Sequence, residues 1–101
     1  MNLNITYDPI NGSVLPDGKI DQWVNNLIEF HNTGVKTNPI IGSELMVLAM
    51  RKAIKEGKIK NDEVIFIFKD AEITFDKDGR LNHYPEGFCD YGDKALETLL
   101  N

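Results

Sequence analysis

A run of five consecutive apolar residues constrains the fold of this chain more than any other feature. Residues 64–68 read Val-Ile-Phe-Ile-Phe, so every one of them is β-branched or aromatic. A short run of this composition is typical of an interior strand that is covered on both faces, because each side chain needs apolar neighbours. The run therefore predicts a sheet with further strands beside this one and helices packed upon it.

The N-terminal segment predicts a second strand and a hairpin. Leu3, Ile5 and Tyr7 alternate with polar residues, which is the period of a strand with one face on a core. The pair Asn11-Gly12 can adopt the positive φ angles of a tight turn. We therefore expect residues 13–15 to return as the hairpin partner of the first strand.

Two helices are predicted, and their apolar patterns differ. Between residues 20 and 31 apolar side chains recur every three or four positions, which indicates a helix with one buried face, and Gly34 provides its stop. Ser43 is placed to cap a second helix, which Gly57 ends. Residues 45–50 are all apolar, so the first half of this helix is predicted to be buried nearly all round.

The remaining segments complete the predicted sheet. Residues 35–41 predict a short strand between the helices, Ile73 and Phe75 predict a last strand before a turn at residues 76–79, and residues 94–100 predict a short C-terminal helix. The predicted order is β-β-α-β-α-β-β followed by that short helix. This order indicates an α/β (α+β) fold with a mixed β-sheet and two main helices, as a single domain over residues 1–101.

Charge and cysteine content narrow the class of partner and the compartment. The 101 residues contain 11 Lys and Arg against 16 Asp and Glu, a net charge of −5, which disfavours nucleic acid as a partner. Cys89 is the single cysteine, so an internal disulfide is excluded, and a cytoplasmic location is predicted. No stretch approaches the roughly 20 apolar residues of a membrane span, so no membrane association is predicted.

The chemically reactive side chains do not predict an enzyme. Cys89, His31 and His83 are the one set of nucleophile and bases, and nothing in the sequence brings them together. His31 lies on the apolar face of the first helix, which favours a hydrogen-bonded core or boundary histidine. Residues 76–79, Asp-Lys-Asp-Gly, resemble the start of a calcium loop, but the later ligands are missing and a hairpin turn is predicted. No catalytic residue, metal site or cofactor is predicted.

One junction has a physical argument for ligand binding. Gly42 and Ser43 join a predicted strand to a predicted helix, and the N–H groups at a helix N-terminus favour an anion. Arg51 and Lys52 begin a basic stretch further along the same helix. These four residues are the candidate ligand site, with a small molecule or a nucleotide as the ligand. Structural capping is favoured over this ligand site, because Glu44 in the first turn itself satisfies the helix dipole and repels a phosphate.

The second half of the chain resembles a known family. The segments that carry the resemblance are Gly42-Ser43-Glu44, residues 51–59, Asp62-Glu63-Val64, residues 76–81 and the tail Tyr84-Pro85-Glu86-Gly87-Phe88-Cys89-Asp90. They follow the order found at the C-terminal end of ABC-class ATPases of the bacterial defence type, similar to the Septu and overcoming-lysogenisation nucleases. The likeness covers about 60 residues from Gly42 onward. Gly42 stands where that family has the histidine that senses the γ-phosphate, and Tyr84 and Cys89 replace a Trp and a Phe.

The resemblance implies a fold fragment without the ATPase activity, because no nucleotide-binding loop precedes it. It suggests a non-enzymatic protein-interaction or regulatory module, associated with a defence-type ATPase or a mobile genetic element. The partner would be another protein or a second copy of the chain. The candidate contact residues lie in the tail and are Tyr84, Pro85, Gly87, Phe88 and Asp90. The alternative for this tail is a turn packed on the core of its own domain.

Overall fold

A four-stranded mixed sheet organises the structure, a computed structural model that describes residues 2–83, 85 and 88. The elements are β1 (Leu3–Tyr7), α1 (Asp17–Asn32), β2 (Ile40–Ile41), α2 (Glu44–Lys55), a 3₁₀ turn (Asn61–Glu63), β3 (Val64–Phe68) and β4 (Ala71–Ile73). The strands lie in the order β2-β1-β3-β4. β1 is parallel to both β2 and β3, and β4 is antiparallel to β3. The predicted fold class, a mixed sheet with two main helices, is confirmed.

The core lies between one face of this sheet and the two helices. In β1 and β3 alternate residues are buried, and α1 and α2 contact each other and share a single hydrophobic cluster with those strand residues. Both helices therefore cover the same face. The side chains of Ile65 and Ile67 point to the other face and are half-buried. The expectation that β3 is covered on both faces thus holds for one face only, within the part of the chain that the structure describes.

The predicted hairpin of residues 13–15 is wrong. Ser13 instead forms a parallel bridge with Ile41, beyond the outer edge of β2. The physical reason is that β1 already has a hydrogen-bonded neighbour on each side, β2 and β3, so it has no edge left for a hairpin partner. The chain after β1 turns across the end of the sheet and reaches β2.

The strand between the helices is shorter than predicted. β2 contains Ile40 and Ile41 only, although the Pro39 carbonyl also accepts a hydrogen bond of 2.9 Å from the Thr6 N–H. Pro39 has no N–H to donate to a ladder and stands immediately before the strand, as its position in the sequence predicts. α1 ends at Asn32, and Gly34 takes a φ of 83°, which confirms the predicted stop.

The second helix is less enclosed than its apolar run suggests. Its buried residues are Met46, Val47, Met50, Arg51, Ala53 and Ile54. Leu45 is 49% exposed, and Leu48 and Ala49 are half-buried. The prediction of a first half buried nearly all round is therefore wrong, because α2 packs on the sheet and on α1 with two sides and leaves the rest of its surface open.

The C-terminal part of the described chain forms the predicted hairpin turn. Phe75 pairs with Leu81 in an antiparallel bridge, and Gly79 takes a φ of 78° at the turn. The predicted helix at residues 94–100 lies outside the described residues. No helix within the described part of the chain is both long and apolar enough to cross a membrane.

Candidate functional site

The Gly42–Ser43 junction lies where β2 ends, and residues 8–13 pack against it. The Gly42 N–H donates a 3.0 Å hydrogen bond to the Ser13 carbonyl, and the Asp8 N–H donates one of 2.7 Å to the Ile41 carbonyl. A Cβ atom on Gly42 would lie 2.9 Å from the carbonyl oxygens of Asp8 and Gly12. The glycine is thus required by a close approach of two backbone segments, and its N–H has a partner within the protein.

Ser43 is the N-cap residue of α2, but its side chain makes no capping hydrogen bond. Its carbonyl accepts the first bonds of the helix, from Met46 at 3.2 Å and Val47 at 3.3 Å. Glu44 places a carboxylate in the first turn of the helix, and the Asp8 carboxylate lies in the adjoining segment. The Glu44 carboxylate in the first turn of the helix opposes the binding of an anion there.

Arg51 does not contribute to this junction. It is fully buried, and its Nε donates a 2.8 Å hydrogen bond to the Gly79 carbonyl. It stands eight residues after Ser43, which is about 12 Å along the helix axis. Arg51 therefore joins α2 to the 76–79 turn and is separate from the predicted anion site.

Lys52 is exposed, and as the next residue of α2 its side chain is rotated by about 100° from that of Arg51. It lines two small surface cavities, of about 210 and 280 Å³, and Asp21 of α1 lines both. The structure therefore does not bring the four candidate ligand residues together. Gly42 and Ser43 are adjacent at one end of α2, while Arg51 and Lys52 lie in its second half and face different surroundings.

The aromatic tail is packed on the core where the structure describes it. Phe88 is fully buried, and its ring centroid lies 5.2 Å from that of Tyr7, 5.4 Å from Phe68 and 6.2 Å from Phe66. Pro85 is half-buried, and its carbonyl accepts a 3.1 Å hydrogen bond from the Phe88 N–H. For these two residues the core-packed turn is the arrangement that the structure shows. Tyr84, Gly87, Cys89 and Asp90 lie outside the described residues.

His31 is a buried histidine with a partner, as its place on the apolar face predicts. Its Nε2 lies 3.1 Å from Glu63 Oε1, and the pair connects the end of α1 to the 3₁₀ turn before β3. His83 is exposed. The described residues contain no group of three or more His, Cys, Asp or Glu side chains that could hold a metal ion.

The 8–15 loop consists of residues 8–15 between β1 and α1. The sequence predicts a turn and a hairpin partner here, but no functional surface. The loop side chains Ile10 and Val14 are 87% and 68% exposed, the highest values among the large apolar residues of the described chain. Asp8 Oδ1 accepts hydrogen bonds from the N–H groups of Ile10 at 3.0 Å and Asn11 at 3.1 Å. Aliphatic residues within a segment rich in Asp, Asn, Gly and Pro are the signal that could have identified this loop.

The hydrogen bonds at the Asp8 turn also affect the ionisation of its carboxyl group. The backbone N–H groups of Asn11 and Ile10, in that order of effect, hold the pKa of the Asp8 carboxyl below its ordinary value of 3.8. The carboxylate is therefore ionised at neutral pH and remains an acceptor for both donors.

Comparisons of the chain with family models, with curated proteins and with solved structures find no match.

Proposed function

We propose that this domain is a non-enzymatic protein-interaction module, with the 8–15 loop as its contact surface. The single observation that supports this most directly is the exposure of Ile10 and Val14 on a loop whose backbone is fixed. Isolated exposed aliphatic side chains are common on protein surfaces and need no explanation. Two of them on a short, rigid loop that also adjoins a third apolar side chain favour a binding surface.

The rigidity of the loop follows from its hydrogen bonds. Asp8 fixes the turn through its carboxylate, the Gly12 N–H donates to the Asp8 carbonyl at 2.8 Å, and the Ser13 N–H donates to the Ile40 carbonyl at 2.9 Å. A preorganised loop loses little conformational entropy when a partner binds, so more of the contact energy is retained as affinity.

The third apolar side chain is Leu45, in the first turn of α2. The backbones of Gly12 and Gly42 are in direct contact, which places the loop against the start of this helix. Leu45 follows Gly42 by three residues and is 49% exposed. Ile10 and Val14 lie two residues to either side of Gly12, and Leu45 lies three residues after Gly42. We refer to these three exposed side chains as the apolar rim.

The resemblance of the second half of the chain to ABC-class ATPases suggests the class of partner, a defence-type ATPase. A surface of aliphatic side chains favours a protein partner with an apolar contact surface, and the net charge of −5 disfavours a nucleic-acid partner. We assign the contact surface to the apolar rim and not to the tail, because Phe88 is buried in the core of its own domain.

The test compares three forms of the protein as bait in native lysate. Wild type should retain a protein with ATPase motifs in near-stoichiometric amount, and Ile10→Ser with Val14→Ser should lose it while keeping the Tm. Val35→Ser is the matched control, because Val35 is 48% exposed and follows the C-terminal end of α1, whereas the 8–15 loop precedes its N-terminal end. The proposal is overturned if the wild-type protein is recovered without any partner, or if the double variant retains the partner as well as wild type does. Self-association carried by the same residues would overturn the ATPase assignment.

The alternative function is a small-ligand or nucleotide binder at Gly42 and Ser43. A saturating ligand raises the stability of a protein by an amount set by its concentration over Kd, about 2.7 kcal/mol at a hundredfold excess. We expect no rise in Tm with ATP, ADP or GTP, because the Gly42 N–H already donates to Ser13 and the Glu44 carboxylate lies in the first turn of the helix. A rise in Tm that depends on nucleotide concentration would support this alternative and contradict the interaction module.

A further inference from the structure

An uncharged pocket lies between α1 and the segment that leads into β2. It has a volume of about 430 Å³. Its lining residues are Trp23, Asn26, Leu27, Phe30, Thr37, Asn38 and Pro39. We propose that this pocket binds a small neutral ring compound that carries an amide-like polar edge.

The apolar part of the pocket favours a planar ring. Trp23, Leu27 and Phe30 recur at helical spacing, so they lie along one side of α1 and present a continuous apolar wall. Trp23 is partly buried against the core, which fixes its position, whereas Phe30 is 47% exposed at the far end of the wall. A flat ring can pack against this wall, and aromatic pairs add to the affinity beyond the area that they bury.

The polar part of the pocket favours a group that both donates and accepts hydrogen bonds. Asn26 on α1 and Asn38 on the opposite segment each carry an amide, with two N–H donors and one carbonyl acceptor. The enclosed hydroxyl oxygen of Thr37 has no hydrogen-bond partner within the described chain. Most buried polar atoms in proteins are hydrogen-bonded, so an unpaired hydroxyl in a pocket wall is a feature that a ligand could satisfy after a rotamer change.

Charge selects against ionic ligands. All seven lining residues are uncharged, although 27% of the chain is charged. A carboxylate or phosphate placed here would lose hydration without gaining an ionic partner, which is costly. The pocket therefore differs in kind from the Gly42–Ser43 junction, and its ligand is not a nucleotide. Its volume lies within the ordinary range for small-molecule sites.

The experiment uses benzamide, which is a neutral ring with one carboxamide, and benzoate as the charged analogue of the same shape. Trp23 is the single tryptophan of the chain, so its indole N–H gives one resolved NMR signal inside the pocket. Benzamide should shift this signal and side-chain amide signals of Asn26 and Asn38 in a saturable way, with a Kd in the millimolar range expected for so small a ligand. Benzoate should bind at least tenfold more weakly.

Two variants assign the binding to the pocket. Phe30→Ala should weaken benzamide binding about tenfold, since it removes the exposed aromatic wall. Val35→Ala is the matched control, because Val35 is exposed to the same extent, at 48% against 47% for Phe30, but does not line the pocket. Shifts that stay linear with benzamide concentration, equal binding of benzoate, or equal affinity in both variants would overturn the proposal.

The benzamide experiment can fail or succeed independently of the test for a protein partner. Ile10→Ser with Val14→Ser should leave benzamide binding unchanged, because neither residue lines this pocket. Loss of the protein partner in Phe30→Ala, together with no saturable binding of benzamide, would assign the pocket to the protein interface and overturn the ligand site.

Discussion

Gly12 and Gly18 differ in the space available to a Cβ atom. A Cβ on Gly12 would overlap the backbone of Ile41 and Gly42, whereas a Cβ on Gly18, in the first turn of α1, meets nothing within 4 Å. The first position is closed by backbone, which cannot move aside as a flexible side chain can. The second position has only the usual entropic disadvantage of glycine in a helix.

Gly12→Ala should therefore destabilise the fold by about 1–3 kcal/mol, the range of overpacking in a closed site. Gly18→Ala, the matched control, should stabilise it by roughly 0.4–1 kcal/mol because the unfolded chain loses freedom. Urea unfolding measures both free energies. A Gly12→Ala protein as stable as Gly18→Ala would show that the loop does not press against β2.

Neighbouring cations on α2 have opposite roles. Arg51 is fully buried and bonded to the Gly79 carbonyl, while Lys52 is exposed. Arg51→Ala should cost about 3–5 kcal/mol, because it leaves a cavity and deprives a buried carbonyl of its donor. Lys52→Ala should change the free energy of unfolding by no more than about 0.5 kcal/mol. Comparable urea midpoints for the two variants would contradict the structural role of Arg51.

At the scale of elements, hydrophobic patterns in the sequence predicted the strands whose formation depends on the burial of their own side chains. The alternation of Leu3, Ile5 and Tyr7 predicted β1, because burial of one face sets the period of a strand. The continuous β-branched and aromatic run at residues 64–68 predicted β3. The hairpin at residues 13–15 failed because strand pairing is decided by which edges remain open, and no local pattern shows that β1 lies between two parallel neighbours. The 8–15 loop is the element that this pairing creates.

The 8–15 loop should respond to pH through Asp8. Its pKa is lowered in the folded state, so the stabilisation by its carboxylate is fully present above the ordinary pKa of 3.8 and is lost as pH falls through the lower folded value. Asp8→Asn keeps the oxygen acceptor but removes the charge. The difference in unfolding free energy between wild type and this variant, followed by urea titration, should therefore shrink below about pH 4. A difference that stays constant with pH would contradict this account.

At the scale of the whole molecule, the candidate site was the part least accessible to sequence reasoning. Gly42, Ser43, Arg51 and Lys52 are close in the sequence, yet the helix separates them and burial removes Arg51 from the surface. Adjacency along a helix does not mean adjacency in a site, because successive residues point in different directions. The pocket beside Trp23 joins α1 to residues 37–39, and that juxtaposition exists only after the chain has folded.

Phe88 packs the C-terminal part of the described chain into the hydrophobic core between the sheet and the helices. Its ring lies among Tyr7, Phe66 and Phe68, which belong to two different strands. Phe88→Ala should cost about 3–5 kcal/mol in unfolding free energy, as expected for an aromatic side chain removed from a closed core. Phe30→Ala is the matched control, because that ring is 47% exposed, and it should cost far less. Equal urea midpoints for the two variants would mean that Phe88 is not part of the core, and the tail would again become the leading candidate for the contact surface.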